Sequence, residues 1–555
     1  MKLENKIINK LKRSILLLSI MVFSLTLISF NSENKIFNKE NSLYKVFYDK
    51  GHNTEKDLPD WALLDPYEDG YEGVRTNEFY KYLSTLSNVP ERTEVVVAVI
   101  DSGFDTEHPD LKDNIWNNEK EINGLKDIDD DENGYTDDFY GWNFLGDKNE
   151  AAFEVTREYY RLKKLNVSEK DTYFQKVKTE FESKKDETYT TFQGIDETLN
   201  EYLNAEKILK EKNITSDPKK LMEISIKLKG KYQDAASMIL GIYMLFNMDK
   251  NDLTELKEEY KTKMNVLFDS TDVSTLENIP ETNYGNNIVI EKKESHGTHV
   301  SGIISSMKTG QAPFAKIMCL RAVPNEGDEK DKDVGNAIRY AVDNGAGIIN
   351  MSAGKYFSPD PEFVVDAIKY AEDKGVLFVV SAGNEGEDMA DIVNYPRKYL
   401  SDNGIKKYFS NMIVVGASSW MKQWNNEKDP ENQNSRYDLA APFSNYSKEV
   451  VDIFAPGVQI NSTIPNNKYK YESGTSMAAP VVTGVAAVLK SYFPQLTAAQ
   501  LKDIILSSSR QYEGLKVKIK DKSAKELFSN LSKSGGVVDL INAYKKAVEM
   551  TAIQN

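Results

Sequence analysis

Four short stretches of this 555-residue chain carry side chains able to do nucleophilic chemistry, each within two residues of a glycine. Ser476 lies in "YESGTSMAAPVV", between small turn residues and an apolar run closed by Pro480. A serine hydroxyl is a weak nucleophile until a base takes its proton. Histidine is the side chain best suited to that near neutral pH. The chain has 4 histidines, and His296 stands in "ESHGTHVSGIISS", where Gly297 permits close approach and small residues clear space around a ring. Asp101 closes the apolar run of "VVVAVIDSG". A buried aspartate there would fix a histidine tautomer and stabilise its imidazolium. Asn384 in "SAGNEG" also follows an apolar run, and its amide suits a developing oxyanion. Taken singly, each has an ordinary reading: a helix cap or packed residue for Ser476 and His296, a strand end for Asp101, a turn former for Asn384.

A second constellation is "DIDDDENGYTDD". Asp129, Asp131, Asn133, Gly134, Tyr135 and Asp137 take relative positions 1, 3, 5, 6, 7 and 9 of a calcium loop, Tyr135 through its carbonyl. Tyr140 stands where the bidentate Glu of position 12 belongs, so the loop is not a full EF-hand. A solvated acidic turn is the competing reading.

The elements that must position these residues are legible as alternating patterns. Val95 to Ile100 is a continuous β-branched run, as in a strand buried on both faces. "FAKIMCLRAV", "AGIINMSAG", "VLFVVSAGNEG" and "NMIVVGASS" repeat that texture. Helical segments intervene, among them "VGNAIRYAVDNG" and "PEFVVDAIKYAEDKG", and a helix of small residues follows Ser476. Strands alternating with helices predict an α/β fold with a doubly wound, mostly parallel sheet, whose sites lie at the carboxyl ends of its strands.

Between about 150 and 285 the texture changes to Lys, Glu, Tyr and Leu. Phe174, Val177 and Phe181 recur at helical spacing, as do Leu221, Ile224 and Leu228; Asp217-Pro218 reads as a helix start. "AASMILGIYMLFNM" is apolar enough to be that segment's core. An inserted, mostly helical subdomain is expected over 150–285, with a partner-docking bundle as the alternative. The sheet domain would then comprise 33–149 and 286–550.

Lys2, Lys6, Lys10, Lys12 and Arg13 precede the apolar run 15–30, which reads as a signal peptide over 1–32, with an uncleaved membrane anchor as the alternative. The expected location is therefore outside the cytoplasm: secreted, periplasmic or associated with the cell envelope. The lone Cys319 excludes an internal disulfide and reads as a core thiol. A net charge of -16 argues against a nucleic-acid partner.

Asp, His, Asn and Ser thus occur in that chain order. "VAVIDSGFDTEHPDL", "SHGTHVSGI", "NMSAG", "SAGNEG" and "SGTSMAAP" resemble the signature blocks of the subtilisin-like serine proteases, over roughly 90–150 and 290–510. The resemblance implies a subtilisin-like fold and an exported serine endopeptidase acting on proteins or peptides through an acyl-enzyme. Carried over by position, Asp101 is the triad aspartate, His296 rather than His299 the base, Ser476 the nucleophile and Asn384 the oxyanion donor. Ser352, Ala353 and Gly354 would form one edge of the substrate cleft. Similar calcium loops in the family favour Ca2+ as a structural ion. A membrane-tethered processing protease and a catalytically silent scaffold are the competing functions. The segment "NEGDEKDKD", at the other cleft edge, lacks the usual glycine-rich pattern and hints at basic substrate side chains.

Overall fold

The computed structural model describes residues 58–554, apart from 88, 90, 273–283, 403–404, 423–437 and 521–523. The signal or anchor expected at 1–32 lies outside the described residues. Among the described residues no helix is long and apolar enough to cross a membrane.

The β-branched runs become strands because their side chains pack on both faces of a pleated layer. They are β1 (Val96–Asp101), β3 (Lys316–Arg321), β4 (Ile348–Met351), β5 (Leu377–Ser381) and β8 (Met412–Ser418). With β2 (Gly141–Asn143), β9 (Ile453–Pro456), β12 (Arg510–Gln511) and β15 (Gly536–Val537) they build a nine-stranded sheet in the order β12-β15-β9-β8-β5-β4-β1-β3-β2. Every pairing is parallel except β12 with β15. Among the described residues, three antiparallel pairs stand off this sheet: β6 (Tyr399–Asp402) with β7 (Ile405–Tyr408), β10 (Ile460–Ile464) with β11 (Lys468–Glu472), and β13 (Lys516–Val517) with β14 (Glu526–Leu527).

Alternate residues of each strand face opposite ways, so the sheet has two cores. Val97 and Val99 of β1 pack with Val300, Ile303, Val482 and Val485 on one face. Ala98 and Ile100 pack with Val334, Ile338, Val364 and Ile368 on the other. The first group of helical residues belongs to α7 (His296–Ser305) and α10 (Thr475–Tyr492), the second to α8 (Asp331–Asp343) and α9 (Pro361–Asp373). The expected doubly wound sheet with a subtilisin-like order of motifs is therefore present. Residues 58–86 also join the first core, through Trp61 and through Phe79 of α1 (Thr76–Thr85). The Trp61 indole donates to the Val458 carbonyl at 3.0 Å. Cys319 is buried in β3, and burial pushes its thiol pKa up.

β1 pairs with β3 on one side and β4 on the other, so the chain winds outward in both directions from it. The carboxyl ends at such a switch point leave a crevice. Asp101 ends β1, Ser352 follows β4, and Asn384 lies three residues beyond β5.

Residues 178–268 form a compact unit of their own. They comprise most of α3 (Thr172–Lys210), then α4 (Pro218–Ile224), α5 (Lys231–Phe246) and α6 (Lys250–Leu267). Asp217 caps α4, its carboxylate accepting from the Lys220 N–H at 3.0 Å, with Pro218 in the first turn. Ile239, Leu240, Ile242 and Phe246 form this unit's core with Leu199, Tyr202, Leu209, Leu253 and Leu256. The unit is narrower than 150–285. Residues 150–177, including α2 (Glu154–Lys164), cluster with the sheet.

Candidate active site

Asp101 is 2% exposed at the end of β1. Its carboxylate accepts from the Ser102 N–H at 2.7 Å and meets His296 Nδ1 at 2.8 and 3.0 Å through its two oxygens. Because a carboxylate only accepts, Nδ1 carries a proton and Nε2 presents a lone pair. His296 opens α7, and Gly297 is what lets that helix approach: a Cβ there would lie 2.3 Å from the Gly103 carbonyl and 3.1 Å from Asp101 Cβ. The His296 side chain is 35% exposed. Burial opposes its charged form, but Asp101, and with it Glu472 and Glu294, outweighs that and raises its pKa above the usual histidine value. His299, one turn on, has another part. Its Nε2 donates to the Lys470 carbonyl at 2.9 Å, and burial lowers its pKa. It is a neutral core histidine that ties α7 to β11.

Ser476 is the second residue of α10, where backbone N–H groups have no acceptor within the helix. Pro480 lies inside that helix and has no N–H to give to the carbonyl four residues earlier, which is that of Ser476. Ser352 supplies the missing donor, with Oγ 2.8 Å from the Ser476 carbonyl. A buried chain continues from there: Asn350 Nδ2 donates to Ser352 Oγ at 3.1 Å, and Thr483 Oγ1 donates to Asn350 Oδ1 at 2.8 Å. The proline therefore couples the Ser476 backbone to the end of β4. The Ser476 hydroxyl itself donates to the Ser352 carbonyl at 3.0 Å, and no hydrogen bond joins it to His296 among the described residues.

Asn384 is turned by its oxygen. Oδ1 accepts from the Thr475 N–H at 2.8 Å and from Thr475 Oγ1 at 3.0 Å, which leaves Nδ2 for the cleft. That cleft has a volume of about 250 Å³. Ser352, Ala353, Gly354, Asn384 and Ser476 all line it. Asp328, Glu329, Glu385 and Asn394 line it as well. The acidic run at 325–333 signalled the first two, though not whether they face water or a cleft; nothing in the sequence singled out Asn394.

At the acidic loop, Asp129 and Asp131 converge with Glu121, their carboxylate oxygens lying within 4.8 Å of one another. Glu121 was not visible in the loop pattern because it comes from a short helical turn, Glu119–Ile122, that precedes it. It accepts from the Asp130, Asp131 and Asp137 N–H groups at 2.6, 3.1 and 2.8 Å. Asn133 Oδ1 accepts from the Tyr135 N–H at 2.8 Å, while the Tyr135 ring stacks edge-on against Trp142 and Tyr340. Asp137 is 5% exposed, one oxygen accepting from the Asp127 N–H and the other without a hydrogen-bond partner among the described residues. An all-oxygen donor set with three converging carboxylates fits a hard cation.

A profile of the Subtilase family matches residues 92–531. The chain belongs to the subtilase family. Within that match, this subtilase is 37% identical over 203 residues to the thermophilic serine proteinase of Bacillus sp. (strain AK1), covering 36% of this chain and 43% of that protein. It is 34% identical to the major intracellular serine protease of Bacillus subtilis (strain 168), over 39% of this chain and 61% of the relative. Among solved structures, a cold adapted subtilisin-like serine proteinase matches at 25% identity with a TM-score of 0.33, over 46% of this chain and 76% of that one. The chain thus spans 43% to 61% of the length of the curated relatives it matches, from the Bacillus sp. (strain AK1) proteinase to the Bacillus subtilis protease.

Proposed function

We propose that this subtilase is an exported serine endopeptidase. The observation that carries the reading is His296, held by both oxygens of buried Asp101, in a fold that brings Ser476 and Asn384 to one cleft. In the proposed reaction Ser476 Oγ turns from the Ser352 carbonyl to His296 Nε2 and gives up its proton as it attacks the peptide carbonyl carbon. The oxyanion accepts from the Ser476 N–H and Asn384 Nδ2, at the positive end of α10. His296 passes the proton to the departing amine, leaving an ester on Ser476. Water, deprotonated by His296, then attacks the ester, and the proton returns to Ser476 as the carboxylate product leaves.

Calcium is the proposed structural ion, with Glu121, Asp129 and Asp131 as its carboxylate ligands. It would neutralise their mutual repulsion and supply a cross-link that a chain with one cysteine cannot draw from a disulfide. The basic and apolar start of the chain supports export. The test is hydrolysis of casein by the full chain, with peptide products identified by mass spectrometry. Hydrolysis absent in Ser476→Ala, and a melting temperature that falls on chelation and recovers with Ca2+, are the expected results. A Ser476→Ala chain that still cleaves casein would refute the reading.

A further inference from the structure

The cleft beside Ser476 is lined by three carboxylates, those of Asp328, Glu329 and Glu385, and by no lysine, arginine or histidine. Three cations lie close to its lining, but each is already committed; Lys520 Nζ donates to the Glu385 carbonyl at 2.6 Å. Arg157 is fully buried; it pairs with Glu154, and its Nη2 donates to the carbonyls of Asp328 and Glu329 at 2.9 and 3.1 Å. Lys355 Nζ meets Glu154 at 2.8 Å, Asp331 at 2.9 Å and the Glu329 carbonyl at 2.7 Å. These bonds answer the charges of Glu154 and Asp331 and hold the cleft edge by its backbone. They leave the Asp328 and Glu329 carboxylates in excess.

Those carboxylates are placed by the fold rather than left to water. Glu329 is 3% exposed and forms no ion pair among the described residues. Burial pushes its carboxyl up to about 7, with Lys355 opposing the shift. Asp328 is half-buried, and one of its oxygens accepts from the Glu154 N–H at 2.8 Å. Glu385 stands exposed at the rim, oriented by the Tyr356 hydroxyl at 2.6 Å and Asn445 Nδ2 at 2.7 Å. A cationic side chain entering the cleft favours the ionised form of Glu329, and a negative charge beside a partly desolvated cleft attracts a cation more strongly than the same charge in water.

A peptide carbonyl seated between Ser476 and Asn384 belongs to the residue just before the scissile bond. That residue's side chain must enter the adjoining cleft, which is large enough for one long side chain. We propose that this cleft selects lysine or arginine immediately before the scissile bond, with Glu329 and Asp328 as the principal determinants and Glu385 as the rim contact. The proposal rests on the endopeptidase reading above.

The test uses the full chain and five fluorogenic peptide amides that differ only in that residue: Lys, Arg, Leu, Phe or Glu. The expected kcat/KM for Lys and Arg exceeds that for Leu and Phe by about 10-fold or more, with Glu lowest. In Glu329→Gln the Lys-to-Leu ratio is expected to fall by roughly 5-fold, and by less in Asp328→Asn and Glu385→Gln. A ratio cancels any loss of folded enzyme, and the two milder variants carry the test should Glu329→Gln not fold. Preference for Leu or Phe, or ratios unchanged in all three variants, would overturn the proposal and leave the endopeptidase reading standing. Failure to cleave any of the five, together with failure to react with a fluorophosphonate, would overturn that reading and this proposal with it.

Discussion

The sheet unit and the helical unit at 178–268 treat charge in opposite ways. Around the carboxyl ends of the strands the sheet unit buries Asp101, Arg157, Asp331 and Lys355. The helical unit keeps its ion pairs outside, as in Lys231–Glu211, Lys250–Glu206 and Lys257–Asp196, and buries leucine, isoleucine and phenylalanine. Burying a charge is costly unless it is paired and hydrogen-bonded, and exposed pairs add little to stability. Burying titratable groups at the carboxyl ends of the strands suits chemistry there; the helical unit buries apolar side chains and the hydroxyls of Thr191 and Thr198 but, among the described residues, no charged one.

The sharpest way to break this contrast is to neutralise a buried charge. Asp101→Asn is expected to lower kcat/KM by about 10⁴-fold, because the wrong histidine tautomer then faces Ser476. It also removes the leading cause that raises the His296 pKa. His296 works as a base only when neutral, so wild-type activity rises with pH through a value above the usual 6.5 or so, and Asp101→Asn moves that limb to lower pH. The sign for stability is opposite. A histidine pKa raised by folding stabilises the protein fully below the unfolded value, and that contribution fades as pH climbs through the folded one. An unchanged limb in Asp101→Asn would show that the carboxylate does not govern His296.

Asn384→Ala should cost less, about 10²–10³-fold in kcat with KM little changed, since it removes the Nδ2 donor proposed for the oxyanion, along with the Oδ1 acceptor of Thr475. An equal effect on KM would mark Asn384 as a substrate-binding group instead. The contrasting variant is Ile239→Ala, in the core of the helical unit. It is expected to cost about 2–5 kcal/mol of that unit's stability, read by denaturant unfolding, while fluorogenic-peptide turnover at 25 °C persists. A loss of turnover comparable to Asn384→Ala would dissolve the distinction between the two units.

Much of this arrangement was legible in the residues. The strands could be read because a continuous β-branched run has few other uses, and Asp217-Pro218 announced α4 by local chemistry alone. The Asp101–His296 contact could be read only from the order of motifs, since 195 residues separate the pair. Glu121 was hidden because its role depends on a fold-back of the loop onto a helical turn. The compact helical unit begins at 178 rather than near 150, a difference the texture does not reveal because α2 is as amphipathic as the helices after it. What joins α2 to the sheet unit is Arg157 and its bonds to the 328–329 backbone, a long-range contact that periodicity does not encode. Pro480 was read as the end of a small apolar run. Its missing N–H turns out to be the reason that Ser352 is tied to Ser476.

The central claim, that Ser476 is a nucleophile activated by His296, is tested most directly by a fluorophosphonate probe with the modified residue located by mass spectrometry. The account predicts a single adduct on Ser476 in wild type, none in Ser476→Ala, and labelling slowed severely in His296→Ala. An adduct elsewhere, or no adduct on a folded and calcium-loaded wild-type chain, would contradict it.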